Sequence, residues 1–206
     1  MRVTLLAGFG LGLSLIIAIG AQNVFVLRQG LARSYVGLVV VICAVSDAVL
    51  IAAGVAGLGA LVESTPWLVT AARVGGAAFL LVYGALAAHR AWRPRGESLD
   101  TASGTAPRAR KAAWGVAVTA LALTWLNPHV YLDTVFLLGS IAATHGDERW
   151  LFAAGAIAGS IVWFAGLGYG ARFLSRWLSK PAAWRWLDGG IAVVMMVLAI
   201  QLLRSA

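Results

Sequence analysis

Residues 35–62 (YVGLVVVICAVSDAVLIAAGVAGLGALV) form an apolar stretch carrying a single charge, Asp47, near its middle. A hydrocarbon layer about 30 Å thick is crossed by roughly 20 helical residues, so this stretch is long enough to span a membrane. A carboxylate at that depth costs on the order of 2.5–3.5 kcal/mol even on lenient insertion scales. A residue kept at such a cost is by default a site for an ion, a proton or a charged solute. The competing reading is that Asp47 pairs with a basic residue to hold two helices together, but the sequence offers few intramembrane cations for that purpose.

Composition sets the class. Of 206 residues, 61% are hydrophobic and 12% charged, with a mean hydropathy of +0.86. A soluble domain of this length has no use for so much apolar surface, which implies an all-α, polytopic integral membrane protein. Many of the 24 glycines lie inside apolar runs at four-residue spacing: Gly8/Gly12, Gly155/Gly159 and Gly166/Gly170. Such pairs let helix backbones approach closely in lipid, so all three are expected to mark helix contacts. The net charge of +8 comes from basic residues in short loops between spans, which points to membrane orientation and not to nucleic acid. The single cysteine, Cys43, excludes a disulfide framework and a thiolate metal cluster. His89, His129 and His145 are too scattered to suggest a metal site, and no cofactor is implied.

Hydropathy predicts six spans at about 5–27, 35–62, 67–92, 112–143, 150–174 and 184–203. The extended polar segment 93–111 (RPRGESLDTASGTAPRARK) reads as a linker between residues 1–92 and 112–206, each a three-helix membrane repeat. Trp67, Trp92, Trp150, Trp177 and Trp184 fall near span ends, as an aromatic belt places them. Loops after spans one, three and five hold twelve basic residues, Arg28, Arg90, Arg95 and Lys180 among them, against Arg2, Arg149 and Arg204 on the other side. The positive-inside rule therefore makes the linker cytoplasmic and places both termini outside. The first 21 residues have the Arg-bearing start, apolar run and small residues of a cleavable signal peptide. Their apolar run is long and leads straight into a polar motif, which favours retention.

Three spans on each side of the linker suggest duplication. Gln22-Asn23-Val24-Phe25 after Gly20 in span one matches Leu126-Asn127-Pro128-His129 in span four. Spans three and six both follow a proline, Pro66 or Pro181, and both carry a Gly-Gly pair, Gly75-Gly76 or Gly189-Gly190. An odd number of spans per repeat inverts one half relative to the other, and inverted repeats with broken helices are the best sequence pointer to a transporter site. The break is clearest at Asn127-Pro128. Proline removes a donor and strands a carbonyl one turn back, and those groups must face protein or a wet cavity. The half-helix ends there can hold a carboxylate or a cation.

His129 and Asp133, four residues apart, share a helix face and can line one cavity. His129 can change protonation in the physiological range, which makes it a candidate proton carrier beside its structural reading as a hydrogen-bonded histidine. Asp133 could instead pair with Arg73, the lone cation within span three. Arg73 and Asp188, each close to a Gly-Gly pair, are also expected to form a structural pair.

Several stretches resemble the LysE/ArgO family of basic amino acid exporters. They are Ala21-Gln22-Asn23-Val24-Phe25-Val26-Leu27-Arg28-Gln29-Gly30, Ser46-Asp47-Ala48-Val49-Leu50-Ile51 with Gly54-Val55-Ala56-Gly57, Tyr83-Gly84, and Thr124-Trp125-Leu126-Asn127-Pro128-His129-Val130-Tyr131-Leu132-Asp133-Thr134. They run in order through spans one to four; spans five and six add only general similarity. The resemblance implies a protein that is not an enzyme but exports L-lysine and/or L-arginine from the bacterial cytoplasm, driven by the proton motive force. The related threonine/homoserine branch resembles Asn-Pro-Lys where this chain has Asn-Pro-His with Asp133 downstream. A cationic side chain is served by an extra anion and repelled by lysine.

The expected mechanism is alternating access around a midplane site between the broken first and fourth spans. Gln22, Asn23, Asp47, Asn127, Pro128 and Asp133 are the candidate substrate-binding residues. Asp47, Asp133 and His129 are the candidates for proton coupling. The expected partners are L-lysine and/or L-arginine, protons and the lipid bilayer of the bacterial cytoplasmic membrane, with a homo-oligomer left open. Exporters of neutral amino acids or of a metal cation in the same superfamily are the alternatives. An intramembrane aspartyl protease would need a GxGD motif, which neither Asp47 nor Asp133 has.

Overall fold

The computed structural model describes residues 1–17, 20–58, 66–92, 106–173 and 181–204. These residues form helices throughout: α1 Arg2–Ile16, α2 Ala21–Ala32, α3 Val36–Ala53, α4 Pro66–Trp92, α5 Ala106–Trp125, α6 Pro128–Ala143, α7 Arg149–Gly170 and α8 Pro181–Arg204. Among the described residues, four stretches are long and apolar enough to cross a membrane alone: Val36–Leu58, Arg73–Trp92, Gly146–Phe173 and Ala182–Arg204. The pair α1 and α2, bent by 85°, supplies a fifth span if it is counted as one. The fourth expected span, 112–143, is instead divided into α5 and α6. Helix α5 also begins earlier, inside the polar segment; 93–105 lie outside the described residues, as does Trp177.

The packing follows the small residues. Helix α1 lies along α7, and α4 lies along α8. A Cβ on Gly8 would sit 2.0 Å from the Phe152 carbonyl oxygen, and one on Gly155 would sit 2.0 Å from that of Leu5. Gly12 meets Ala156 and Gly159 meets Phe9 in the same seam. The expected contacts of Gly8/Gly12 and Gly155/Gly159 are therefore this one interface, which the Thr4 hydroxyl closes at its end by donating to Glu148. Gly166/Gly170 is a correction: nothing stands within 4 Å of a Cβ at either position. The glycine between them, Gly168, makes the contact, against Val26, Val36 and Val40. Two residues along a helix turn the side chain by roughly 200°, so Gly168 faces the bundle when its neighbours do not.

Gly155→Leu is accordingly expected to force α1 and α7 apart. Overpacking of this kind costs roughly 2 kcal/mol. The measurement is the melting temperature of purified protein in detergent, which should fall for Gly155→Leu and stay near wild type for Gly166→Leu.

The middle helices α3 and α7 pack on each other, and each also receives a first helix from the other half: α5 lies on α3 as α1 lies on α7. The larger core between them gathers Phe25, Val26, Val39, Cys43, Leu123, Phe164 and Met195. At its far end α3 widens into a π-helical stretch, Gly54–Leu58, kinked at Gly57, which takes φ 97°. There Gly54 crosses α6 with backbone on backbone. A Cβ on Gly54 would lie 2.6 Å from the Val135 carbonyl oxygen, and one on Gly139 would lie 2.6 Å from that of Gly54. This crossing holds the π-helical segment Tyr131–Leu137 of α6, which carries Asp133.

Candidate functional site

Both helix breaks are built from local chemistry. Helix α1 ends at Ile16, whose carbonyl accepts a hydrogen bond from the Asn23 side-chain nitrogen at 2.8 Å. The Asn23 side-chain oxygen accepts in turn from the Trp163 indole at 3.2 Å. Asn23 thus ties the end of one half-helix to the start of the next and to α7. In span four, the Asn127 side-chain oxygen accepts from the His129 N–H at 3.1 Å, capping α6. Pro128 is buried as its first residue. The Tyr131 hydroxyl donates to the Trp125 carbonyl at 2.8 Å, satisfying one of the acceptors stranded at the end of α5. Gly76 lets α4 pass against the same corner: a Cβ there would lie 2.1 Å from the Leu126 carbonyl oxygen. Its expected counterparts Gly189 and Gly190 have no such neighbour.

Between the two breaks lies a cavity of about 340 Å³, lined by Gly20, Ala21, Gln22, Asn23, Asp47, Asn127, His129, Asp133 and Thr134 among others. That volume is in the roughly 300–1,000 Å³ range of small-molecule sites. Every candidate site residue lines this cavity except Pro128. Residues far apart in sequence, on α2, α3 and α6, are brought together there. The apolar wall comes from α4 and α8, through Phe79, Leu80, Leu198 and Leu202.

The two carboxylates sit differently. Asp47 is 3% exposed and accepts a hydrogen bond from the buried Ser160 hydroxyl at 2.8 Å. The hydroxyl of its neighbour Ser46 accepts from the Trp125 indole at 3.2 Å, fastening α3 to the end of α5. Asp133 is half-buried, within electrostatic reach of His129 four residues before it. It takes no part in any of the three ion pairs among the described residues, so the alternative pairing with Arg73 is not formed.

Asp188 is a second correction. Fully buried, it pairs with Arg28 at 3.2 Å and with Arg90 at 3.6 Å. Arg73 lies seventeen residues before Arg90 on the same helix, about 25 Å away along its axis, and so belongs to the opposite end of α4. Arg90 also stands over the Tyr83 ring, 5.7 Å from its centre, and Tyr83 packs on Phe25 and Phe79. This gives Tyr83 and Arg28, both inside motif stretches, a place in one buried cluster.

Ser160 and Gln201, which also lines the cavity, went unnoticed in the sequence. Each is a polar side chain inside an apolar span, the same signal that singled out Asp47, but weaker because a hydroxyl or amide costs less to bury than a charge.

The family described as LysE type translocator matches residues 13–206, nearly the whole chain. The chain belongs to the LysE type translocator family. An arginine exporter, ArgO of Yersinia enterocolitica, is 42% identical, covering 100% of this chain and 98% of its own. A lysine exporter, LysE of Corynebacterium efficiens, is 40% identical over 95% of this chain and 96% of its own. A Mycobacterium tuberculosis protein provisionally named an amino-acid transporter is 50% identical over 94% of both chains. No solved structure matches. The resemblance read from the motifs of α2, α3 and the second break is thus a family relationship that extends over all the helices.

Proposed function

We propose that this chain exports L-lysine and/or L-arginine across the bacterial cytoplasmic membrane by proton-coupled antiport, through alternating access around the cavity between the two breaks. The observation that carries this reading is the convergence of two membrane carboxylates, Asp47 and Asp133, and two half-helix starts on one small cavity. The amino acid's amino and carboxylate groups are held near the breaks beside Asn23 and Asn127, and its positive charges are met by the carboxylates Asp47 and Asp133. Gln22 lines the same end of the cavity as Asn23. Asp47, Asp133 and His129 are the groups available to exchange protons. Relatives named as lysine and arginine exporters support a basic amino acid as cargo.

The membrane potential favours such coupling. Moving one positive charge out against an inside-negative potential of ~100 mV costs about 2.3 kcal/mol. One proton entering per cation leaving offsets this cost.

The halves read as two inverted repeats. Support comes from the reciprocal packing: α1 on α7 matches α5 on α3, while α3 with α7 and α4 with α8 pair equivalent helices across the centre. With the basic loops and the 93–111 segment cytoplasmic, the Arg28–Asp188–Arg90 cluster lies at the inner face. The cavity lining on α4 stops at Leu80, ten residues or about 15 Å of helix short of Arg90. Tyr83, which packs against Phe25, lies on α4 within that interval.

The test is flux from proteoliposomes loaded with labelled lysine, arginine or threonine, with and without a pH gradient. Lysine and/or arginine efflux should accelerate when the external medium is acidified, and threonine should move far more slowly. Equal flux of threonine, or cation flux indifferent to amino acids, would replace this reading by one of its alternatives.

A further inference from the structure

We propose that the start of α2 is the subsite for the substrate's α-carboxylate, so that a basic amino acid lies in the cavity with its side-chain cation toward Asp133. This rests on the export reading and adds to it the orientation of the cargo and a requirement for a free carboxylate.

The two half-helix starts that meet the cavity are not equivalent. Helix α6 is already satisfied. Its first residue, Pro128, has no N–H; the second N–H, of His129, is taken by the Asn127 side chain; and the third, of Val130, is bonded to the Asn127 carbonyl at 3.2 Å. An anion finds no free backbone N–H in that first turn. Helix α2 starts from Gly20, an extended residue with no side chain to act as a cap. Its first internal bond runs from the Val24 N–H to the Gly20 carbonyl at 3.2 Å. The N–H groups of Ala21 and Gln22 make no hydrogen bond among the described residues, and both residues line the cavity. Unbonded N–H groups and the positive end of the helix dipole favour a carboxylate.

An independent observation concerns the Gln22 side chain. It is only 8% exposed, and its amide nitrogen, packed beside the weakly accepting Cys43 sulfur, has no other hydrogen-bond partner among the described residues. A buried donor left unsatisfied at membrane depth is costly unless something absent from the bare protein accepts from it. The same carboxylate that meets the Ala21 and Gln22 N–H groups supplies an acceptor for it.

The remaining charges then order themselves. Gln22 lies beside Cys43, and Asp47 follows Cys43 by one turn of α3, so Asp47 is the carboxylate nearer this end. It faces the α-ammonium, the group bonded one carbon from the substrate's carboxylate. Asp133, on the other broken helix, is left for the side-chain cation.

The test uses wild-type protein in proteoliposomes and measures competition against labelled lysine efflux. The competitors are unlabelled lysine, lysinamide, whose carboxylate is neutralised, and cadaverine, which is lysine without its carboxylate. Loss of a charge-assisted contact of this kind should weaken lysinamide and cadaverine by about ten- to a hundredfold relative to lysine. A Gln22→Glu variant should reverse the preference, losing affinity for lysine while gaining it for cadaverine. Cadaverine and lysinamide competing as well as lysine, while lysine is still exported, would overturn this subsite and leave the export reading standing. Absence of lysine and arginine flux in the wild type would overturn both.

Discussion

Asp47→Asn is expected to reduce net export to background while the protein remains folded in the membrane. Asparagine matches aspartate in shape and keeps an oxygen that can accept the Ser160 hydroxyl now bonded to the carboxylate at 2.8 Å. Burying a neutral amide costs less than burying an ion, so the substitution should not weaken the bundle. What it removes is the charge and the site for a proton. If Asp47 couples proton entry to cation exit, no residual geometry replaces that role. The measurement is lysine efflux from reconstituted vesicles, alongside the yield and elution profile of the purified variant. Full export at normal yield would make Asp47 a structural residue whose purpose is the bond to Ser160. Ser160→Ala separates the cases further, since it deletes the bond and keeps the carboxylate; it should retain measurable transport.

Asp47 was legible because a charge in an apolar run has only one sign of consequence. The same holds for Asn127-Pro128, where the loss of a backbone donor forces a break irrespective of what surrounds it. These local arguments found the residues that line the cavity. They did not find the partners, because partners are chosen by helix packing. Arg73 was expected to meet Asp188 since both lie near Gly-Gly pairs, yet the antiparallel course of α4 and α8 brings Arg90 to Asp188 instead, with Arg28 from α2. Glycine spacing behaved similarly. A pair at i and i+4 declares a small face but not whether another helix lies on it: Gly155/Gly159 faces α1, and Gly166/Gly170 faces none. Asn23 shows a subtler limit. Its place at the break was visible, whereas the tie it makes from Ile16 to Trp163 depends on α7, more than a hundred residues away.

The division between the two broken helices bears on selectivity, and here the largest discrimination between substrates is expected from Asp133→Asn. Asp133 lies on the π-helical segment that follows the second break, lines the cavity and takes part in no ion pair among the described residues. Its charge is therefore available to a cation entering the cavity. A charge-assisted hydrogen bond contributes roughly 1.5–3 kcal/mol, so its loss should lower apparent affinity for lysine and arginine by about ten- to a hundredfold. Threonine and homoserine have no side-chain cation, and any slow transport of them should change little. The ratio of lysine to threonine flux is thus the quantity to measure, since a general loss of stability lowers both alike. A scaffold role for Asp133 that engages Arg73 in another conformation predicts the opposite pattern. The single variant would then lose all substrates together, and Asp133→Asn combined with Arg73→Gln would restore them together. Selective loss of the basic substrates, unrepaired by the second substitution, assigns Asp133 to the cargo.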